Sequence, residues 1–258
     1  MQITFAERVI EFNQSLEFND PLPKGISIMN PFKQNDQILP ISSAFYRKYY
    51  SDNDPRHLIM GINPGRFGSG LTGIPFTDPK HVTRNCGIPY HGPMAHEPSS
   101  VFVYEMIKAF GGEEAFYRRF YIGAVCPLGF TKLMPALSSS LSPNLSSSEG
   151  HESVFLNNHP PKPREVNYNY YDSRELTHAV YDFMVESLQT QLAFGINTDI
   201  CFCFGTGKNE KFLRELNGSY HFFNRIVALE HPRYIMQYKA KTKQAYIDKY
   251  IRAFGEIG

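Results

Sequence analysis

A short apolar run, His57-Leu58-Ile59-Met60, passes directly into Gly61-Ile62-Asn63-Pro64-Gly65, and this junction constrains the chain more than any other stretch. The run reads as a buried strand. It must then turn sharply, because Pro64 fixes its own φ and Gly65 admits positive φ. The turn leaves Asn63 at the carboxyl end of a strand, the edge at which open α/β sheets bind ligands. An Asn amide both donates and accepts hydrogen bonds while carrying no charge. It suits holding a water molecule and is poorly suited to deprotonating one.

The remaining pattern alternates helix and strand. Helices are expected over Thr4–Leu16, Ile41–Tyr50, Ser100–Phe110 (with Ser99 or Ser100 as N-cap), Ser173–Phe194 and Thr242–Phe254, and another ending near Leu216. Strands are expected at His57–Ile62, Arg119–Cys126, Asp199–Phe204 and Arg225–Glu230. Such alternation predicts an α/β fold, a four-stranded parallel sheet between two helical layers, in a three-layer α/β/α sandwich. The loop from Asn63 to Pro98 is long and rich in Gly and Pro, which marks it as functional or disordered. A Ser/Pro-rich stretch near 134–166 holds too little apolar surface to fold alone and reads as a surface insertion in a single domain spanning 1–258.

In a parallel sheet all carboxyl ends open on one edge, so Asn63, Cys126-Pro127-Leu128, Gly205-Thr206-Gly207 and His231 are expected around one cleft. Asn63 alone would pass for a turn residue; with Phe67, Gly73 and Phe76 at this spacing the functional reading is favoured. Phe76 in a Gly/Pro loop is either core or a platform for a flat base. Gly205-Thr206-Gly207-Lys208 lacks the phosphate-loop spacing and reads as a tight turn into a helix. Lys239, Lys241 and Lys243 are either a solvated helix face or, with Arg233, a local basic patch for a DNA backbone.

With a formal net charge of +1, the chain is no arm-type nucleic-acid binder, so any polyanion surface must be local. Cys86, Cys126, Cys201 and Cys203 form no C-x-x-C pair, which argues against a zinc or iron–sulfur site and for buried thiols in a reducing compartment. The first residues do not resemble a signal peptide, and no run reaches the roughly 20 apolar residues that span a bilayer. A cytoplasmic, monomeric protein with no metal site and no membrane partner is expected.

These residues carry a family resemblance. Gly61-Ile62-Asn63-Pro64-Gly65-Arg66-Phe67-Gly68, with Thr72-Gly73-Ile74-Pro75-Phe76, resembles the first motif of the single-strand-selective monofunctional uracil-DNA glycosylases. His231-Pro232 resembles the start of their second motif, and Cys126-Pro127-Leu128 the tripeptide after their middle strand. The resemblance spans nearly the whole chain outside the insertion and is nearest the bacterial second-type branch. It implies a monofunctional glycosylase, with no cofactor, that flips a deaminated base out of double- or single-stranded DNA and cuts its N-glycosidic bond. Asn63 would then hold the attacking water, Phe76 would stack on the base, and His231 would stabilise the leaving group. Phe67, Gly68 and Gly73 would lie at the base. Where animal relatives have an Asn that reads uracil, this chain has Ala124, which opens the choice of base to xanthine or hypoxanthine. After His231 the chain runs Arg233-Tyr234-Ile235-Met236, from which a wedge into the duplex is expected, with Lys239 and Lys241 at the backbone.

Two other classes stay open at this level. One is a non-catalytic DNA-lesion binder on the same fold; the other is a small-molecule nucleoside hydrolase.

Overall fold

Cys201, Phe202, Cys203 and Phe204 are shielded from solvent at four successive positions. Successive strand residues face opposite sides, so both faces of this strand are covered, as in a parallel sheet between helical layers. The computed structural model, which describes residues 3–134 and 164–257, has that architecture. Seven strands are described: β1 (Ile26–Met29), β2 (Arg56–Gly61), β3 (Phe120–Ala124), β4 (Gly129–Met134), β5 (Arg164–Tyr168), β6 (Ile196–Phe204) and β7 (Arg225–Leu229). The central sheet has the order β3-β2-β6-β7, all parallel. It is the four-stranded sheet expected from the alternation.

Neighbouring residues of β3 show how the layers meet. Tyr121 packs edge-on against Phe5 and Phe194, whereas Phe120 packs on Phe254 and Phe202. One layer is therefore built on helices Phe5–Ser15 and Tyr181–Leu192, the other on Lys243–Phe254. Helix Pro98–Phe110 packs on this last helix and on Pro232–Tyr238.

The structure adds a small antiparallel sheet, β1-β4-β5, that the sequence pattern did not disclose. Strands β4 and β5 lie at the two ends of the Ser/Pro-rich stretch. Residues 135–163 of the expected insertion lie outside the described residues, whereas Met134 and residues 164–166 belong to β4 and β5.

Other elements also differ from the expectation, and the helix expected over Ile41–Tyr50 and the strand expected over Asp199–Phe204 each begin three residues earlier, at Ile38 and Ile196. The helix expected over Ser173–Phe194 is two, Arg174–Ala179 and Tyr181–Leu192, broken at Val180 where ψ is 9°. Helix Pro98–Phe110 starts before Ser99, with Glu97 at the N-cap position and Pro98 in its first turn. The long loop contains two short helices, Ser69–Thr72 and Pro79–Arg84. No helix among the described residues is long and apolar enough to cross a membrane.

Candidate active site

The carboxyl ends of β2, β3 and β7 meet at an open cleft of about 1240 Å³, mouth included. Asn63, Phe76, Ala124 and His231, drawn from segments far apart in sequence, all line it. Glu97, Tyr171, Arg233 and Tyr238 complete much of its wall.

Asn63 is clamped at both ends of its amide. Its Nδ2 donates to the carbonyl oxygen of Tyr168 at 3.3 Å, and its Oδ1 accepts from the backbone N–H of Tyr170 at 3.2 Å. These partners settle which end is oxygen. The Oδ1 keeps a second lone pair for a ligand. The clamp is made by the last residue of β5 and the segment just beyond it, and β5 also holds the next turn, since Asn167 Oδ1 accepts from the Arg66 N–H at 3.2 Å.

His231 caps the helix Pro232–Tyr238, with its Nδ1 accepting from the Arg233 N–H at 3.1 Å. Burial of the ring in the cleft wall, and secondarily the charge of Arg233, pushes its pKa down to about 4. The imidazole is therefore neutral at physiological pH. With Nδ1 acting as an acceptor, the proton resides on Nε2, which leaves a fixed N–H donor.

Phe76 lies 5.6 Å from the His231 ring and edge-on to Phe204. Its φ of 53° is unusual for a bulky residue. Local bonds hold it there: the Thr72 hydroxyl donates to Thr77 O at 2.7 Å and accepts from Ile74 N–H at 3.2 Å. Backbone strain of this kind persists only where the surroundings over-determine it, and it collects at functional sites.

The other sequence candidates separate into groups. Ala124 lines the cleft, and its carbonyl accepts from Gln191 Nε2 at 3.1 Å. Phe67 stands half exposed on an adjoining hollow, under the Arg66 guanidinium. Gly68 is buried against the Glu97 carboxyl. Gly73 is absent from the cleft wall: with φ of 70° it ends a short helix, and a Cβ there would meet Phe32 at 2.7 Å. Beyond His231, Arg233 and Tyr234 are exposed on the rim. Met236 lines the adjoining hollow. Ile235 is 0% exposed and belongs to the core, which removes it as a wedge. Lys239 and Lys241 are exposed beyond this helix and do not line the cleft.

Sequence reasoning missed Glu97, Tyr171, Tyr238 and Asn209. Asn209 is a brace: its Nδ2 donates to Gly61 O and Phe204 O at 3.4 and 3.3 Å, and its Oδ1 accepts from the Tyr170 hydroxyl at 2.9 Å. It thus ties β2, β6 and the Asn63 clamp together. The Gly205-Thr206-Gly207-Lys208-Asn209 turn was the available signal, and its use is internal. Glu97 stands alone in a polar loop and gave no signal.

Comparison with known proteins places this geometry in a family. The family model described as Uracil DNA glycosylase superfamily matches residues 47–255. No curated protein matches the chain. Among solved structures, the crystal structure of wild-type Pedobacter heparinus SMUG2 aligns with a TM-score of 0.87 at 56% identity, covering 99% of each chain.

Proposed function

The chain belongs to the uracil DNA glycosylase superfamily and is a DNA glycosylase, and on that footing we propose that it is a monofunctional enzyme that removes uracil, and also xanthine or hypoxanthine, from DNA. The observation that carries this reading is the convergence of Asn63, Phe76 and His231 on one cleft.

A base inside a duplex is out of reach, so it is flipped at a cost of a few kcal/mol, less where pairing is already weak. The flipped base lies on the Phe76 ring. Breaking the glycosidic bond puts positive charge on the sugar and negative charge on the base. The neutral His231 gives an Nε2–H hydrogen bond to a base oxygen, and a preorganised donor of this kind is worth about 10²–10³ in rate. Asn63 Oδ1, oriented by Tyr170, accepts from the water that attacks C1′.

Cutting the DNA strand as well would call for an amine nucleophile that forms a Schiff base. No lysine is among the described residues lining the cleft, which supports hydrolysis to an abasic site as the whole reaction. Ala124 offers no side-chain amide to the base edge, which supports a choice of base wider than uracil. Arg233 and Tyr234, on the exposed rim, are suited to filling the gap in the stack and touching phosphate.

The test is abasic-site formation on oligonucleotides carrying uracil, xanthine, hypoxanthine or thymine. Turnover on at least one deaminated base is expected, with Asn63→Ala losing about 100-fold or more while still binding DNA. Equal activity in Asn63→Ala and the parent would sink the assignment. Specific binding of lesion DNA with no turnover would favour the lesion-binder reading.

A further inference from the structure

The reaction described above, on which this inference rests, lacks one component. Water adding to C1′ must lose a proton, and an Asn amide cannot take it. His231 cannot either, because its Nδ1 lone pair is engaged by the Arg233 N–H and its Nε2 carries the proton. Tyr171 is held protonated by burial, its pKa pushed up to about 12. Among the described residues lining the cleft, one carboxylate remains, Glu97.

Its setting is unusual for a surface-loop acid. The backbone N–H of Glu97 donates to Asp78 Oδ2 at 3.1 Å, and Asp78 Oδ1 is held in turn by His81 Nδ1 at 2.6 Å. This anchors the residue from behind. In front, the carboxyl rests on the Gly65–Gly68 turn, two residues beyond Asn63. A Cβ on Gly68 would overlap Glu97 Oε2 outright, and one on Gly65 would lie 3.7 Å from Oε1. The backbone has therefore been cleared for this carboxyl at the turn that carries Asn63. No described residue hydrogen-bonds to either carboxyl oxygen. The oxygens are available to a ligand.

We infer that Glu97 is a catalytic residue of the glycosylase reaction, the acceptor for the proton of the water held by Asn63. As the C1′–N bond breaks, its electron pair goes to the base nitrogen. The water oxygen bonds to C1′, and its proton passes to the Glu97 carboxylate. The resulting carboxylic acid then returns the proton to the departing base or to solvent, which restores the carboxylate.

The surroundings tune this group for the task. Burial first, and the nearby charge of Asp78 second, raise its pKa to about 7, against the opposing pull of Arg233. The other groups facing it are His96, 3.9 Å from Asp78 Oδ2, His81 behind Asp78, and His231 across the cleft. Arg66, on the adjoining turn, is directed to Glu165 at 3.4 Å. A base with a pKa close to the working pH transfers protons most effectively. Because the carboxylate is the active form, the rate should climb with pH and level off above about 7.

The experiment is single-turnover cleavage of a uracil-containing single strand by the full-length protein between about pH 5.5 and about pH 9, a range that brackets the expected transition. Glu97→Gln should lose about 100-fold at the plateau and lose the pH-dependent rise, while binding to a strand with non-cleavable 2′-fluoro-deoxyuridine is unchanged. Glu97→Ala should recover rate when formate is added, since a small carboxylate can enter the space vacated. A Glu97→Gln enzyme with the wild-type rate and pH profile overturns the inference. So does a loss of rate matched by an equal loss of analogue binding, with no rescue by formate, because that is the behaviour of a structural residue. Wild-type protein inactive on every base overturns the glycosylase reading itself, and the inference with it.

Discussion

Gly61 ends β2 at a place where no side chain can be fitted without cost. A Cβ there would approach Phe76 Cε2 at 3.0 Å and the Gly123 carbonyl oxygen at 3.3 Å. The carbonyl of Gly61 is already engaged, by the Val125 N–H at 3.1 Å and Asn209 Nδ2 at 3.4 Å. The strand therefore cannot back away, and relief must come from the Phe76 ring, whose own backbone has little freedom. Gly61→Ala is expected to displace that ring by a few tenths of an ångström. Overpacking of this kind costs about 1–3 kcal/mol, and a misplaced positioning group costs up to about 100-fold in rate. Thermal melting and single-turnover cleavage check this together. A variant that melts lower but cleaves at the parent rate would show that the stacking surface tolerates the shift.

The helix Pro232–Tyr238 separates two roles that its sequence leaves mixed. It begins at the His231 cap, and its geometry sends Ile235 inward while Tyr234 and Tyr238, one turn apart with ring centroids 5.4 Å from each other, stay exposed. Ile235→Ala should cost about 2–5 kcal/mol of stability without a specific effect on bound DNA. Tyr234→Ala should leave the melting temperature alone and weaken binding to lesion DNA by about tenfold, the value of one stacked base. Chemical denaturation and a binding titration distinguish the two, and a reversed pattern would reassign the wedge. The sequence held the four parallel strands, because each is a local apolar run closed by Gly, Pro or a polar residue. It held the cleft in part: Asn63 and His231 line it, whereas Cys126-Pro127-Leu128 and Gly205-Thr206-Gly207, expected around the same cleft, are not among the residues that line it. The small sheet was not legible. Only four residues form β1, and β4 and β5 are joined by a pairing between distant segments that leaves no local period. The Val180 break was hidden because the apolar stripe runs through it. The Pro98 start was legible in principle, since proline belongs in a first turn, but Ser99 and Ser100 were stronger capping signals. Among the residues lining the cleft, Asn63, Phe76 and His231 were readable from their motifs, and Ala124 only through the family resemblance. Glu97 was not, since its meaning comes from Gly68, which lies near it only in the folded chain.

At the scale of the whole molecule, the amino end of the sheet contrasts with the open cleft. Arg56 starts β2 fully buried, between the rings of Phe5 and Tyr50, with its guanidinium carbon 5.1 and 5.2 Å from their centroids. Its charge is met by Asp52 in a two-pronged pair, and it also donates to Asp54 O at 2.7 Å and Tyr117 O at 3.3 Å. One side chain thus joins the first helix, the strand entry and the helix before β3. Asp52 is itself about half exposed and stays in water when Arg56 is removed. The cost of Arg56→Ala therefore comes from the space vacated between the two rings and from the lost donors to Asp54 O and Tyr117 O, about 2–5 kcal/mol. Urea denaturation measures that loss, and cleavage by the fraction that remains folded should match the parent. A folded variant with impaired cleavage would mean that the two ends of the sheet are coupled. The cleft end has the opposite dependence on the chain. The amide of Asn63 is oriented by Tyr168 and Tyr170, more than a hundred residues later, and its partner His231 comes later still. A ribosome that has finished the first motif has thus made every atom of Asn63 but none of its alignment. On the proposed mechanism, catalytic competence is withheld through most of translation and arrives only near its end, so a nascent or prematurely terminated chain would carry the motif without the means to cut a base from DNA.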